Sequence, residues 1–173
     1  MTTGHVLRPA RPDDYDAIAA VVDSWWGRPV LPSLPRLFLD HFHRTSLIAS
    51  TPEPTTSLSE PTTSPPGPAS LSESGEMTGF LIGFLSPSAE HEAYIHFVGV
   101  SPRARGAGLA RTLYETFFDL ARKHDRSVVK AITSPLNTTS IAFHQRMGFT
   151  VQGPLPAYNG PGTTLMTFER PLT

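Results

Sequence analysis

The sequence predicts a mixed α/β domain built on one sheet. Strand-like and helical segments alternate along the chain, the pattern of a sheet with helices packed on it. An apolar strand, Glu92–Val100, runs into a short basic, glycine-rich turn, and an amphipathic helix follows at once. At 173 residues the chain is one domain's worth and long enough to bury a proper core.

In chain order, a strand is expected at Val6–Pro9, a helix over Pro12–Trp26 and a second over Leu34–Arg44. Ser46–Ala49 and Phe80–Leu85 are strand-like and read as a hairpin interrupted by an insertion. From Thr51 to Glu76, 17 of 26 residues are Pro, Ser or Thr, with four Glu and no Lys or Arg. Such a stretch buries too little apolar area to offset its ordering entropy and reads as a disordered loop. A long loop between paired strands adds only modest closure entropy, so one domain over 1–173 accommodates it.

Past the Glu92–Val100 strand, a helix is expected from Gly106 to about Lys123. Leu109, Leu113, Phe117 and Leu120 recur on it at helical spacing. Arg111, Glu115, Asp119 and Lys123 lie four apart and read as a solvated face. Ser127–Thr133 reads as a strand, Asn137–Met147 as a helix, and Phe149–Gln152 and Thr163–Phe168 as the last strands.

Composition narrows the function. With 14 Lys+Arg against 15 Asp+Glu the net charge is −1, which argues against an extended nucleic-acid surface. Cysteine is absent, removing disulfides, a thiolate nucleophile and cysteine–zinc chemistry. The seven His residues are scattered and no metal site is expected. No run is long enough to cross a membrane and no signal peptide is evident, so the expectation is a cytoplasmic protein with no membrane partner.

The most informative stretch is Val98-Gly99-Val100-Ser101-Pro102-Arg103-Ala104-Arg105-Gly106-Ala107-Gly108-Leu109-Ala110. A strand, a glycine turn and a helix start aim backbone N–H groups and the positive helix end at one spot. Glycines at 106 and 108 let an anion approach the main chain, and Arg103 and Arg105 add charge. A P-loop is excluded because the chain has no Lys-Ser or Lys-Thr pair. A dinucleotide fingerprint is excluded because Arg111 stands where its third glycine belongs.

Arg105-x-x-Gly108-x-Ala110 behind a Val-x-Val strand resembles the acetyl-CoA signature of the GCN5-related N-acetyltransferases (GNAT), [QR]-x-x-G-x-[GA]. Asn137 through Phe149 resembles a later motif of the same family, N-x-x-[AS]-x-x-F-[YH]-x-x-x-G-F. Here Asn137 is a good N-cap and Gly148 sits where a left-handed C-terminal cap belongs. The strand-then-helix opening from Val6 is consistent with the family. The resemblance implies a central, mostly antiparallel sheet, splayed beside Val98–Val100, with flanking helices.

It also implies acetyl transfer from acetyl-CoA to a primary amine, by direct attack in a ternary complex without a metal. Cofactor contacts fall on Val98, Gly99 and Val100, where the pantetheine arm adds as a strand does. They continue over Arg105, Gly106, Ala107, Gly108, Leu109 and Ala110 at the pyrophosphate, and over Asn137, Ser140 and Phe143. Gly99 in an apolar strand marks a bulge or a close backbone approach.

His96 is the leading general base, because imidazole titrates in the useful range. Strand alternation puts Tyr94, His96, Val98 and Val100 on one face. One branch of the family carries histidines at the positions of 94 and 96, and here Tyr94 takes the first. Where many members have a proton-donating Tyr, seven residues after the motif Asn, this chain has His144. The resemblance places the acceptor pocket between Trp25–Arg28 and Pro154–Gly162, with Trp25, Trp26 and Tyr158 as substrate-binding candidates. Adjacent tryptophans on a helix cannot both face one core, so one is expected to line a cleft.

The acceptor is a small-molecule amine or an amino group of a protein or peptide; monomer and homodimer stay open. A non-catalytic acyl-CoA-binding module is the competing reading, keeping the turn but lacking a competent base.

Overall fold

In the computed structural model, which describes residues 4–52 and 75–172, seven strands form one sheet. The disordered loop expected over 51–76 falls almost wholly outside the described residues. The strands are β1 (Val6–Pro9), β2 (Leu47–Ser50), β3 (Met77–Leu85), β4 (Glu92–Val100), β5 (Val128–Thr133), β6 (Thr150–Pro156) and β7 (Thr164–Pro171). Their order across the sheet is β1-β2-β3-β4-β5-β7-β6. Every adjacent pair is antiparallel except β4 and β5, which run parallel.

That one parallel ladder is short. Glu92 pairs with Val128, Ala93 with Val129 and Tyr94 with Lys130, and there the pairing stops. Beyond Tyr94 the β5-facing edge of β4 has no strand against it, so the sheet opens into a V. The splay expected beside Val98–Val100 is present, and it begins at Tyr94.

Helices cover the two faces unequally. On the front lie α1 (Asp14–Trp26) and α2 (Leu37–Phe42). Ile18, Val22 and Leu39 pack there with Ile48, Phe80 and Ile82 of the sheet. On the back lie α3 (Leu109–Lys123) and α4 (Thr138–Arg146), over a larger core holding Leu113, Phe117 and Phe118 with Leu81, Ile95, Val129 and Phe168. The front of β5, β7 and β6 carries no helix among the described residues.

Local chemistry explains where the elements start and stop. Asp14 opens α1, accepting from the Arg11 N–H at 2.6 Å and from a two-pronged Arg8 fork at 2.8 and 2.7 Å, which ties β1 to the helix. Gly27, at φ 69°, closes it. The helix expected from Gly106 begins only at Leu109, because Gly106 and Gly108 hold φ of 82° and 81°, outside the helical region. The α3 stripe is wider than its leucine spacing indicated: Tyr114, Phe118 and Ala121 are buried too. The last two strands run longer than expected. Pairing resumes at Leu155 with Leu165 past an irregularity after Gln152, which Pro154 and Pro156 permit because β6 is an edge strand.

The alternation expected along β4 fails at one residue. Ile82 pairs with Phe97 but Gly83 pairs with Ile95, leaving His96 as the extra residue of a bulge. An unpaired residue shifts the two-residue phase. Tyr94, His96 and Phe97 therefore pack on the front, against Phe84, Phe38 and Trp26. Val98 and Val100 pack on the back core. Gly99 is not the bulge residue; a Cβ there would lie 2.4 Å from Phe80 Cε1.

Gly83 serves the back face similarly, since a Cβ would meet Phe117 Cε2 at 2.5 Å and the Tyr94 carbonyl at 3.1 Å. Gly83→Ala should therefore lower unfolding stability by about 1–3 kcal/mol through overpacking. Urea denaturation would read this as a lower midpoint at unchanged slope.

Candidate active site

Two cavities flank the open V, one on each face. The back cavity, of about 360 Å³, is lined by Val100, Ala104, Arg105, Gly106, Gly108, Leu109, Ala110, Arg111, Phe143, Arg146 and Met147. The glycine turn forms its mouth. No hydrogen bond of the described residues uses the N–H of Gly106, Ala107, Gly108, Leu109 or Ala110. These donors head a 15-residue helix, so their dipoles add to its positive end and make an anion cradle. Leu109 is 2% exposed; its side chain anchors the turn and its backbone faces the mouth.

Arg105, expected to add positive charge at the turn, lines the cavity and is also held by two carbonyls. Its guanidinium donates to the Trp25 carbonyl and, at 3.3 Å, to the Val100 carbonyl. It braces the end of α1 against β4 and the turn. The cavity also gains Arg111 and Arg146. The sequence hid both: Arg111 shares the polar face of α3, and Arg146 fills a variable position of the second motif.

That motif divides in the structure. Phe143 lines the cavity, whereas Asn137 and Ser140 build α4. The Asn137 side chain accepts from the Ser140 N–H at 3.2 Å and donates to Thr133. At the other end, Gly148 N–H donates to Gln145 and Phe149 N–H to His144, with Gly148 at φ 82°. This is a Schellman cap.

His144 sits in the back core at 5% exposure. Its ring lies flat on Phe168 at 3.8 Å. Nδ1 donates to the Ser140 carbonyl at 2.8 Å, which leaves Nε2 to accept from the Tyr114 hydroxyl at 3.1 Å. Burial pushes its pKa down to about 4, against the opposing pull of the Ser140 carbonyl. A neutral imidazole with both nitrogens engaged has no proton to hand on near neutral pH, so its surroundings do not support the expected donor role.

The front cavity, of about 200 Å³, lies beneath the β6–β7 loop. Tyr94, Lys130, Ile132, Gln152, Tyr158, Thr167 and Glu169 line it with backbone of Ala131 and Phe168. Tyr158, expected in an acceptor pocket with Trp25 and Trp26, lies here with Tyr94 instead, and neither tryptophan lines the cavity. Trp25 stacks on Phe80, and Trp26 lies tilted against Phe97. Indoles at the end of α1 are long enough to reach two neighbouring aromatic rings of one sheet face. Lys130, Gln152, Thr167 and Glu169 escaped the sequence reading; for Lys130, Thr167 and Glu169 the signal is polar residues alternating with more buried residues of β5 and β7.

His96 borders this face. Its ring lies against Phe38 at 3.8 Å, and Nε2 sits 2.8 Å from the Ser33 carbonyl. A carbonyl only accepts, so Nε2 carries the hydrogen and Nδ1 keeps a lone pair. Burial lowers the His96 pKa, partly opposed by the bond to Ser33. Tyr94 shifts the other way: burial, then the nearby Tyr158, raises its pKa, so the phenol stays protonated.

Among the described residues no group of three or more His, Cys, Asp or Glu could hold a metal ion. No helix there is long and apolar enough to cross a membrane.

The acetyltransferase (GNAT) family profile matches residues 32–149, and the chain belongs to that family. The chain is 33% identical over 78 residues to an L-2,4-diaminobutyric acid acetyltransferase of Nocardia farcinica, covering 44% of this chain and 40% of that protein. It is 36% identical over 73 residues to an IAA acetyltransferase of Azospirillum brasilense, covering 42% and 47%. The match thus spans less than half the length of these curated relatives.

Among solved structures, Ard1 from Thermoplasma volcanium superposes with a TM-score of 0.71 at 19% identity over 98% of both chains. Diaminobutyrate acetyltransferase EctA from Paenibacillus lautus, solved with its substrate and coenzyme A, superposes at 0.63 and 19%, covering 96% and 95%. At these identities the likeness is one of fold.

The neutrality of His144 has a thermodynamic consequence. Its folded pKa of about 4 lies below the ordinary 6.5, so between these values the unfolded chain binds the extra proton. Stability from this group is complete above pH 6.5 and lost as pH falls towards 4, up to about 3 kcal/mol. His144→Gln should flatten that part of the stability–pH curve, measured by urea unfolding from pH 7 to 4.

Proposed function

We propose that the protein is an acetyl-CoA-dependent N-acetyltransferase that moves the acetyl group to a primary amine in a ternary complex. The observation that carries the reading is the row of undonated N–H groups from Gly106 to Ala110, heading a cavity that meets the open edge of β4. The residues present fit the donor. The turn would hold its pyrophosphate, Arg111 and Arg146 would face its remaining anionic groups, and the strand edge from Ile95 to Val100 would pair with the pantetheine arm. Acetyl-CoA brings the acetyl thioester; the rest falls to the chain.

An amine of pKa about 10 is mostly protonated at neutral pH, so a base is needed. His96 fills that role through Nδ1, held neutral by burial and fixed in tautomer by Ser33. Main-chain N–H groups on the open edge of β4 polarise the thioester carbonyl, a contribution of about 3 kcal/mol per donor. As the N–C bond forms and the C–S bond breaks, the departing thiolate takes a proton. By position on the front face with His96, Tyr94 is the candidate donor in place of the buried His144.

Purified protein should release thiol from acetyl-CoA when offered an acceptor amine. His96→Ala should lower kcat by about 100- to 10,000-fold with the Kd for CoA unchanged. Because His96 must be neutral, and its pKa lies below the ordinary 6.5, kcat/KM should rise with pH along a limb centred below 6.5. Tight binding of acetyl-CoA without turnover on any amine would point instead to a binding module.

A further inference from the structure

His96 is held by a loop that is itself held by α1. The chain leaves α1 at Gly27 and returns to the core at Val30 and Leu34, both buried. Between these anchors Leu31–Ser33 forms a single 3₁₀ turn. Ser33 N–H donates to the Val30 carbonyl and Leu34 N–H to the Leu31 carbonyl, both at 2.9 Å. The Ser33 carbonyl accepts from His96 Nε2 at 2.8 Å.

Two side chains of α1 grip this turn at its ends. At its start, Asp23 Oδ1 accepts from the N–H groups of Val30 at 2.7 Å and Leu31 at 2.8 Å. Pro32 has no N–H, and Ser33 N–H is used within the turn. One carboxylate oxygen therefore satisfies the donors at the head of the turn, which would otherwise be orphaned. At its end, the Tyr15 hydroxyl donates to the Leu34 carbonyl at 3.2 Å. Helix α1 is a firm mount for both: Ile18 and Val22 are buried, and Arg105 braces its end through the Trp25 carbonyl.

We propose that Asp23 is a positioning residue for His96, with Tyr15 as the second point of the clamp. A hydrogen bond at one imidazole nitrogen sets the tautomer, and it does so only while its partner keeps its place. The flat contact with Phe38 fixes the plane of the ring but does not tell its two nitrogens apart. The Ser33 carbonyl does, placing the hydrogen on Nε2 and leaving Nδ1 its lone pair. Asp23 keeps that carbonyl within reach. The effect on turnover rests on the acetyl-transfer reading with His96 as base; control of the tautomer does not.

Nitrogen-15 NMR of histidine-labelled protein, at a pH where His96 is neutral, tests this with CoA binding as the check on folding. The native chain should show the Nε2–H tautomer of His96 alone. Asp23→Ala should show a mixture with Nδ1–H, and kcat about 10- to 100-fold lower at an unchanged Kd for CoA. Asp23→Asn, whose side-chain oxygen can accept the same two N–H bonds, should keep both the native tautomer and the native kcat. Tyr15→Phe, which loses only the hydroxyl, should shift the tautomer in the same direction. The Nε2–H form alone in folded Asp23→Ala, or a mixture in Asp23→Asn, would overturn the clamp. If Asp23→Ala fails to bind CoA, an unshifted tautomer in Tyr15→Phe would overturn it. A mixed tautomer in Asp23→Ala with kcat unchanged would uphold the clamp and overturn His96 as the base instead.

Discussion

The β4–β5 ladder ends at Tyr94 and Lys130, and the rest of the site depends on that ending. Had the two strands stayed paired, the sheet would separate the helix-covered back from the open front. Because they part, the unpaired edge of β4 lies between the N–H cradle of α3 and the tyrosine-lined cavity. Backbone groups of that edge have no strand against them among the described residues.

Packing then decides the protonation state of each titratable group near the V. His96 and His144 both lie flat on a phenylalanine, at 3.8 Å, and both give one N–H to a carbonyl. They differ in the second nitrogen. In His144 it is closed off by Tyr114 within the core, which makes the residue a packing element with a polar lock. No bond of the described residues engages Nδ1 of His96, and its bulge turns it to the front. The same low-dielectric surroundings that keep these imidazoles neutral keep Tyr94 protonated.

Much of this was legible in the sequence where a local rule governed it. Gly106 and Gly108 read as an anion-facing turn, although the helix expected from Gly106 starts at Leu109; Asn137 and Gly148 read as the caps of α4, and Glu92–Val100 as a strand; each depends on backbone chemistry within a few residues. What the sequence withheld depends on distant partners. The bulge at His96 is a register effect between β3 and β4, so Val98 and Val100 changed face without a local signal. Trp25 and Trp26 share one face because Phe80 and Phe97 provide two seats. His144 occupies a motif position, yet Tyr114 and Phe168, far away in the chain, decide its role. Lys130 and Glu169 become neighbours only when β5 and β7 pair.

The central claim is that an acyl donor binds the turn and continues along the open edge of β4. Backbone amide NMR during titration with acetyl-CoA tests it most directly. The account predicts large shifts at Gly106, Gly108 and Ala110, together with a second group from Ile95 to Val100. Shifts confined to the turn, or absent from both segments, would contradict it.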